Sequence, residues 1–341
     1  MKKSLMTLGV LALFVLMAYG QEKKFALYSV AFYNMENLFD TIHDEGKNDY
    51  EYLPNGTNQW NTMKYKAKLK NMSEILSMLS TDKLPMGPAI IGVSEIENYR
   101  VLEDILKQPV LADRGYQYVH YEGADQRGVD CAFFYNPKLF ELTNSKLVPY
   151  VYINDTVHKT RGFLIASGNI AGEKMHFIVN HWPSRAAASP ARERAGEQVR
   201  AIKDSLLKED SAAKIVIMGD MNDDPMDKSM AVALGAKRKP ADVGPTDLYN
   251  PWWDTLKKGY GTLMYKGKWN LFDQIVFTGN LLGTDRSTLK FYKHEIFRRD
   301  FMFQKEGKYK GYPKRTQAGG VWLNGYSDHL PTIIYLIKEV K

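Results

Sequence analysis

Short apolar runs, each of strand length, recur along the chain between polar and glycine-containing segments. Most are rich in valine, isoleucine and aromatic residues, the composition typical of β-strands that are at least half buried. The runs lie at 27–33, 89–93, 129–135, 175–180, 215–218, 271–277 and 332–337. The pattern predicts a strand at each of these positions.

Between some of these runs the apolar positions change to helical spacing. Over 63–79 the apolar residues fall near one face of a helix, and the polar residues 80–82 predict its end. Further helices are predicted over 101–107 and 190–207, and the second of these opens with a proline and has a strongly charged outer face. Strands and helices that mix without strict alternation predict an α+β sandwich, in which two sheets pack face to face with helices outside.

Several of the predicted strands end in polar or charged side chains, among them Asn34, Glu95, His181 and Asp220. A buried strand gains no stability from a carboxylate at its end. A rigid strand end is, however, a good mount for a catalytic group. The strand ends are therefore the first indication of a functional site.

The first residues have the features of an export signal. Lys2 and Lys3 form a basic start, an almost unbroken apolar run covers 5–17, and small residues at 18 and 20 suit a signal peptidase. We predict residues 1–20 to be a signal peptide. A retained membrane anchor is the alternative, although the apolar run is short for a bilayer span.

The remaining residues, 21–341, are predicted to form one domain of a secreted or periplasmic protein that has no stable membrane insertion after cleavage. Cys131 is the only cysteine, which excludes an intrachain disulfide, so core packing must hold the exported chain together. The net charge of +7 falls to +5 once Lys2 and Lys3 are removed. This positive excess is compatible with a polyanionic substrate.

The polar strand ends belong to a set of short motifs. They are FYNMENLF at 32–39, GVSE at 92–95, RGVD at 127–130, VNHW at 179–182, GDMND at 219–223, FDQI at 272–275 and SDHLP at 327–331. Singly they are weak evidence, since Asn, Asp and Glu after a strand are most often turn formers or helix caps. In this order and spacing they resemble the endonuclease/exonuclease/phosphatase superfamily, which includes DNase I, exonuclease III-like repair nucleases, sphingomyelinases and inositol polyphosphate phosphatases. The resemblance covers about 28–337.

The resemblance implies a four-layer αββα sandwich of the DNase I type and a divalent-metal site. Glu95 corresponds to the principal ligand of Mg²⁺ or Mn²⁺, hard cations that prefer oxygen donors. Asn34, Glu36 and Asp328 correspond to neighbours that complete or orient the shell of ligands. Position 36 is commonly Asp in the repair nucleases, and the longer Glu36 reaches further, so its direct ligation is in doubt.

The resemblance also implies the groups that carry out hydrolysis. Asp220 and Asn222 correspond to the pair that orients or deprotonates the attacking water, and their i, i+2 spacing points both side chains to one side if the chain stays extended. His329 corresponds to the histidine that contacts the scissile phosphate, with Asp273 as its carboxylate partner. His181 matches a second histidine of DNase I-like and sphingomyelinase-like members, which assists the leaving oxygen. Which histidine is the acid stays open.

Basic residues near these motifs could bind substrate phosphates. Arg127 and Arg185 resemble phosphate-facing arginines of the superfamily, and guanidinium groups fit phosphate well. The segment 305–315 alternates basic and aromatic residues just before the SDHLP motif, a pattern that suits contact with single-stranded nucleic acid. Solvated surface is the alternative for both arginines, and a plain exposed loop is the alternative for the segment.

Three functions remain open from the sequence. The favoured one is a monomeric extracellular nuclease acting on DNA or RNA. The second is a phosphodiesterase or phosphatase on a lipid headgroup or phosphorylated small molecule, sphingomyelinase-like or inositol-phosphatase-like. The third, a non-catalytic binding protein on this fold, is disfavoured because every expected catalytic position is filled. Only Trp252 and Trp253 offer an apolar segment to a bilayer, and such a pair more often packs in a core.

The other histidines lie outside the motifs and are expected to be structural. They are His43, His120, His158, His176 and His294. His176 is expected to pack or hydrogen-bond within its strand.

Overall fold

The structure, a computed structural model, describes residues 23–153, 155 and 157–340. The predicted signal peptide at 1–20 therefore lies outside the described residues. Within the described part, none of the helices combines the length and apolar composition that a bilayer crossing requires.

The described residues contain seventeen strands and five α-helices, together with a few short helical turns. The first strands are β1 Lys24–Leu38, β2 Ile90–Ile96, β3 Gln117–His120, β4 Asp130–Tyr135, β5 Phe140–Val148, β6 Phe163–Ile170, β7 Glu173–His181 and β8 Lys214–Asp220. The others are β9 Ala236–Lys237, β10 Leu248–Tyr249, β11 Leu263–Tyr265, β12 Lys268–Asn270, β13 Asp273–Thr278, β14 Lys290–Ile296, β15 Gln317–Ala318, β16 Val321–Trp322 and β17 Thr332–Val340. The helices are α1 Thr62–Met78, α2 Tyr99–Leu106, α3 Pro109–Ala112, α4 Ser189–Glu209 and α5 Trp253–Lys257.

Most strands belong to two mixed sheets. The first has six strands in the order β14-β17-β1-β2-β4-β3, and the second has seven in the order β5-β6-β7-β8-β13-β10-β9. Two short hairpins, β11-β12 and β15-β16, stand apart from them. Each sheet has a parallel pair of strands near its centre, β1 with β2 in the first sheet and β7 with β8 in the second. Within each pair, the carboxyl ends of both strands lie at the same edge of the sheet.

Successive side chains of a central strand point to opposite faces of its sheet, so they pack in different hydrophobic cores, of which the described residues form three. In β1, Val30 and Phe32 pack in the core between the sheets, whereas Ala31 and Tyr33 pack in the core beneath α1 and α2. A third core joins the second sheet to α4. Because both faces of such a strand are buried, its sequence reads as an unbroken apolar run. Four layers in the order helix, sheet, sheet, helix follow, which confirms the predicted αββα sandwich.

Each predicted strand and helix is present, with ends that shift by a few residues. The pattern did not predict β3, β5, β6 or β14, nor the short strands β9, β10, β11, β12, β15 and β16. The outer strands β5 and β14 are edge strands with partly exposed residues, so they carry no continuous apolar run. Strand β6 contains the polar stretch 167–169. Trp252 is fully buried and its indole N–H donates to the Ile275 carbonyl at 2.9 Å, as expected for a core tryptophan.

Phe133 should be a main support of the core between the sheets. It is fully buried, and its ring centroid lies 5.7 Å from those of both Phe140 and Phe177. We expect Phe133→Ala to lower the free energy of unfolding by about 3–5 kcal/mol, because the lost burial adds to the cost of a cavity. Urea unfolding measures the change. Val232→Ala, at an exposed position, is the control and should stay within about 0.5 kcal/mol; a loss below 1 kcal/mol for Phe133→Ala contradicts this packing account.

Candidate active site

The side-chain amide of Asn34 joins the two sheets where their polar strand ends meet. Its nitrogen donates to Glu95 Oε1 at 3.1 Å and to Asp220 Oδ2 at 3.0 Å, so one amide contacts a carboxylate from each sheet. Its oxygen accepts from the Glu36 backbone N–H at 2.9 Å. Asn34 is fully buried. It therefore fixes two acidic groups that would otherwise repel each other.

Glu95 lies in a strained stretch at the end of β2. Its φ of 58° is in the left-handed region, and the pairing of β2 with β4 shifts register between Ser94 and Ile96. The irregularity turns the carboxylate so that Oε2 accepts the Asn37 backbone N–H at 3.0 Å. A non-glycine residue held in this conformation costs about 1–3 kcal/mol and is typical of functional sites.

Asp220 ends β8, and the glycine before it is required by close packing. A Cβ on Gly219 would lie 2.4 Å from the Asn180 carbonyl oxygen on β7. The pairing of β7, β8 and β13 then places His181 and Asp273 beside Asp220. The glycine of the GDMND motif therefore has a structural reason, which is to let β7 and β8 approach at the ends that carry His181 and Asp220.

His329 and Asp273 form a buried pair. His329 Nδ1 and Asp273 Oδ2 are 2.7 Å apart, and His329 Nε2 lies 3.8 Å from Asp220 Oδ2. Burial works against the imidazolium, but the carboxylates of Asp273 and Asp220 outweigh it and raise the His329 pKa well above its usual range. His329 is therefore a cation at neutral pH, with Nε2 facing the acidic cluster.

His181 has the opposite protonation state. Its Nε2 atom lies 3.6 Å from Glu95 Oε1 and 3.7 Å from Asp220 Oδ2, and its buried Nδ1 has no hydrogen-bond partner among the described residues. Burial, together with the positive charge of Arg161 and Arg127, lowers the His181 pKa well below its usual range. The two histidines of the site therefore favour opposite protonation states, the separation that acid–base chemistry needs.

The carboxylates of the cluster suit a divalent cation. Ligand atoms of Glu95, His181 and Asp220 lie within 4.8 Å of one another, as do those of Asp220, Asp273 and His329. Burial and the neighbouring Asp273 raise the Asp220 pKa to about 7, although the His329 cation opposes this. Asp273 Oδ1 is buried and has no hydrogen-bond partner in the part of the chain that the structure describes. A bound cation would relieve both conditions, and oxygen-rich donors are the set that Mg²⁺ and Mn²⁺ prefer.

Asn222 lies beside Asp220, but not on an extended chain. Its φ is 51°, so the backbone turns, and the i, i+2 argument for a shared side does not apply. The Asn222 backbone N–H donates to Asp220 Oδ1 at 2.9 Å, and its side-chain nitrogen donates to the Trp182 carbonyl at 3.0 Å. The turn places the Asn222 backbone, rather than its amide, against the Asp220 carboxylate.

Glu36 is the centre of a separate charged network. Its Oε1 accepts from Arg315 Nε at 2.8 Å, its Oε2 accepts from the Thr316 backbone N–H at 2.7 Å, and Lys68 Nζ lies 3.7 Å from Oε2. Arg315 also reaches Asp328, with 2.9 Å between Nη2 and Oδ2. Both Glu36 oxygens are thus engaged, and Glu36 acts on the site by holding the arginine that contacts Asp328.

The same network supplies the hydrogen-bond acceptors and the negative charge for the buried ammonium group of Lys68. Its side chain is fully buried, and its ammonium group donates to Thr316 Oγ1 at 2.5 Å and to the Tyr326 carbonyl at 2.7 Å. Burial lowers the Lys68 pKa to about 8, against the opposing attraction of Glu36. The lysine fixes the segment that carries Arg315 against α1.

The two predicted phosphate-binding arginines differ in their surroundings. The Arg127 side chain is 52% exposed, with only a 3.4 Å contact from Nε to Asp125 Oδ1. Arg185 lies over the Phe272 ring at 4.4 Å, and its Nη2 contacts Asp227 at 2.8 Å. Arg127 is therefore free to meet a phosphate, whereas Arg185 already has a carboxylate partner.

Two further arginines at the site were not singled out in the sequence. Arg161 is buried, donates to the carbonyls of His181 and Trp182 at 3.2 and 2.7 Å, and pairs with Asp125 at 3.0 Å. No motif surrounds Arg161. Arg315 was visible only as the last residue of the segment 305–315.

The five remaining histidines each have a polar partner outside the cluster. The partners are Asp49 for His43, Asp130 for His120, Asp155 for His158, Ser167 for His176 and Thr255 for His294. The prediction that His176 bonds within its own strand is wrong, because its partner Ser167 lies on the neighbouring strand β6. Glu122 with His120 and Asp130 forms another group of suitable metal ligands among the described residues.

This fold, with carboxylates, amides and two histidines at one edge of paired sheets, defines a phosphate-ester hydrolase site. A model of the Endonuclease/Exonuclease/phosphatase family matches residues 29–338. The chain belongs to this family of hydrolases that act on phosphate esters and generally depend on divalent metals. A search of curated proteins finds no match.

Solved structures share the fold at low sequence identity. A Bacteroides thetaiotaomicron member of the family is 14% identical, with a TM-score of 0.58 over 93% of this chain and 97% of that one. The mannosyl-6-phosphatase of the same organism is 14% identical, with a TM-score of 0.56 over 91% and 99%. D. rerio TDP2, in a complex with a single-strand DNA product, is 15% identical, with a TM-score of 0.53 over 91% and 99%.

We expect Asp273→Asn to lower the pKa of His329, because the amide removes the carboxylate that stabilises the imidazolium. Loss of general acid catalysis at neutral pH should then reduce kcat by about 10²–10⁴-fold. The imidazolium form of His329 would be lost at a lower pH in the variant than in the wild type, so the residual activity should move to lower pH. NMR titration of His329 and a pH–rate profile measure both effects. Asp155→Asn removes the carboxylate from an exposed histidine pair and is the matched control; an unchanged profile for Asp273→Asn contradicts the assignment.

Glu36→Gln should lower the free energy of unfolding by about 3 kcal/mol, because it leaves the buried ammonium of Lys68 without its carboxylate. Adding Lys68→Met should restore part of this loss, since the pair is then replaced as a unit. Urea unfolding of the single and double variants gives the coupling energy. A double variant no more stable than Glu36→Gln would show that the two groups are not coupled.

Proposed function

We propose that the mature chain is an exported nuclease, a Mg²⁺- or Mn²⁺-dependent phosphodiester hydrolase that cleaves DNA or RNA. One observation carries the choice of a polymer: the acidic cluster adjoins a groove lined partly by the basic and aromatic segment 305–315. Arg315 and Asp328, which pair with each other beside the cluster, both line the groove. A chain bound along the groove would bring a backbone phosphate to the catalytic groups.

Within this proposal, Glu95 and Asp220 would hold the cation, with Asn34 and Asp328 orienting the site. When bound, the cation neutralises charge that develops on the phosphate oxygens. His329, a cation, donates a hydrogen bond or a proton from Nε2.

Hydrolysis requires that an oxygen–phosphorus bond forms to water while the bond to the leaving oxygen breaks. Neutral His181 is suited to accept the proton of the attacking water, with Asn222 ordering the turn beside it. His329 is suited to supply the proton that the leaving oxygen takes up. These roles reverse the one that the resemblance implies for His181, because burial and the charges of Arg161 and Arg127 favour its neutral form, which is the form that accepts a proton.

A phosphorylated small molecule is the second candidate substrate. A separate polar cavity of about 200 Å³ borders Glu36, Asn37, Tyr52 and Arg315. Its size and hydrogen-bonding walls suit a compact group such as a phosphorylated sugar, and one protein of similar fold is a mannosyl-6-phosphatase. The lipid alternative is less well supported, because Trp252 is buried in the core and only the half-buried Trp253 remains of the apolar pair.

Export and a monomeric state remain part of the proposal. The basic start, apolar run and small residues of 1–20 support removal of a signal peptide and release to the periplasm or medium. The positive net charge favours a polyanionic partner.

Activity of residues 21–341 should disappear with EDTA and return with Mg²⁺ or Mn²⁺, because the cluster offers hard oxygen donors. Single-stranded DNA, duplex DNA, RNA, bis-p-nitrophenyl phosphate, mannose 6-phosphate and sphingomyelin vesicles form the substrate panel. Nucleic acid should be hydrolysed with the highest kcat/KM. Efficient hydrolysis of the sugar phosphate or of the vesicles, with neither DNA nor RNA cut, would reject the nuclease in favour of that substrate.

A further inference from the structure

A groove begins at Asp328, the residue before His329. It has a volume of about 730 Å³, within the range of ligand-binding clefts, about 300–1,000 Å³. One wall is residues 263–266 of the β11–β12 hairpin, and the opposite wall is the segment 304–313. Arg315, Asp328 and residues at 318–323 complete the lining. The hairpin wall has no role in the mechanism described above.

The hairpin wall begins at the catalytic histidine. Leu263, the first residue of β11, pairs with His329 in an antiparallel bridge, and the Leu330 N–H donates to the Thr262 carbonyl at 2.9 Å. Tyr265 follows two residues later, about 7 Å further along the strand. A ligand at His329 would therefore continue directly onto this wall.

Each wall presents an exposed tyrosine paired with a lysine. Tyr265 is 61% exposed with the Lys266 ammonium 5.2 Å from its ring centroid, and Tyr309 is 49% exposed with that of Lys308 at 5.6 Å. A large ring left in water contributes little to folding. Rings beside cations provide stacking surface and positive charge, the combination that binds single-stranded nucleic acid.

The two walls are connected, so the groove is formed before a ligand binds. The Gly267 N–H at the hairpin turn donates to the Tyr312 hydroxyl of the opposite wall at 2.6 Å. The Gln304 N–H donates to the Tyr312 carbonyl at 2.8 Å, and the Gly311 N–H donates to the Gln304 carbonyl at 2.9 Å. A pre-formed groove avoids the ordering cost that a flexible loop would pay on binding.

We propose that this groove binds the single-stranded nucleotides next to the scissile phosphate, with bases stacked on Tyr265 and Tyr309 and phosphates near Lys266 and Lys308. The inference rests on the proposed nuclease function and specifies its substrate as single-stranded. Bases must be unpaired to offer their faces to the rings, so a duplex would use only the charges.

The test compares Tyr265→Ala, Tyr309→Ala and the double variant on a single-stranded oligonucleotide, its duplex and bis-p-nitrophenyl phosphate, with Mn²⁺ present. Each substitution should lower kcat/KM on the single strand, relative to the small diester, on the order of tenfold or more, because one base–aromatic stack is lost. Tyr265→Trp should retain the ratio, since it keeps a stacking face. Tyr292→Ala is the control, at a 50% exposed tyrosine on edge strand β14.

Different results overturn different statements. If the double variant keeps the single-strand ratio, or loses duplex cleavage equally, the stacking inference is wrong while the nuclease stands. If dextran sulfate competes with the single strand as well as an uncleavable oligonucleotide of equal charge, the groove recognises polyanions rather than bases, and the inference is again wrong. If the wild-type protein cleaves the small diester but no nucleic acid, the proposed function itself fails.

Discussion

The hydrogen bonds from Asn34 to Glu95 and Asp220 are the contacts on which the site depends. Two sheets packed through aliphatic and aromatic side chains could slide over each other at little cost in burial, because the hydrophobic effect has no direction. A buried amide that satisfies one carboxylate from each sheet fixes their edges relative to each other. The strain at Glu95 and the close approach at Gly219 are consistent with an edge that packing alone would not define.

Around that contact the charges are arranged in two groups that share Asp328. The cluster of Glu95 and Asp220 is acidic and suited to a cation, whereas Glu36 and Asp328 are already matched by Arg315. Arginine at this position can hold Asp328 in place and can also meet the substrate, because the guanidinium has donors to spare. Arg315 also lines the groove, so the side chain that positions Asp328 is the one that a ligand in the groove could contact.

Much of the fold and the central site could be predicted because they depend on local patterns. Continuous apolar runs identify the central strands, which are buried on both faces. The polar residues that follow these runs identify the side chains of the site. The edge strands, the turn at Asn222 and the buried arginines depend on contacts between distant residues. Arg315 meets Glu36 across 279 positions, and Arg161 bonds to carbonyls of a neighbouring strand. A motif search detects residue types at fixed spacing, and it cannot detect a partner supplied by the tertiary fold.

The proposed cation site lies where the two sheets meet, at Glu95, Asn34 and Asp220. Anomalous diffraction from a crystal of residues 21–341 soaked in Mn²⁺ locates the cation without reference to activity. The strongest peak is expected beside the Glu95 carboxylate, among oxygen donors. A strongest peak at His120, Glu122 and Asp130, or none at Glu95 under conditions that support hydrolysis, would contradict it.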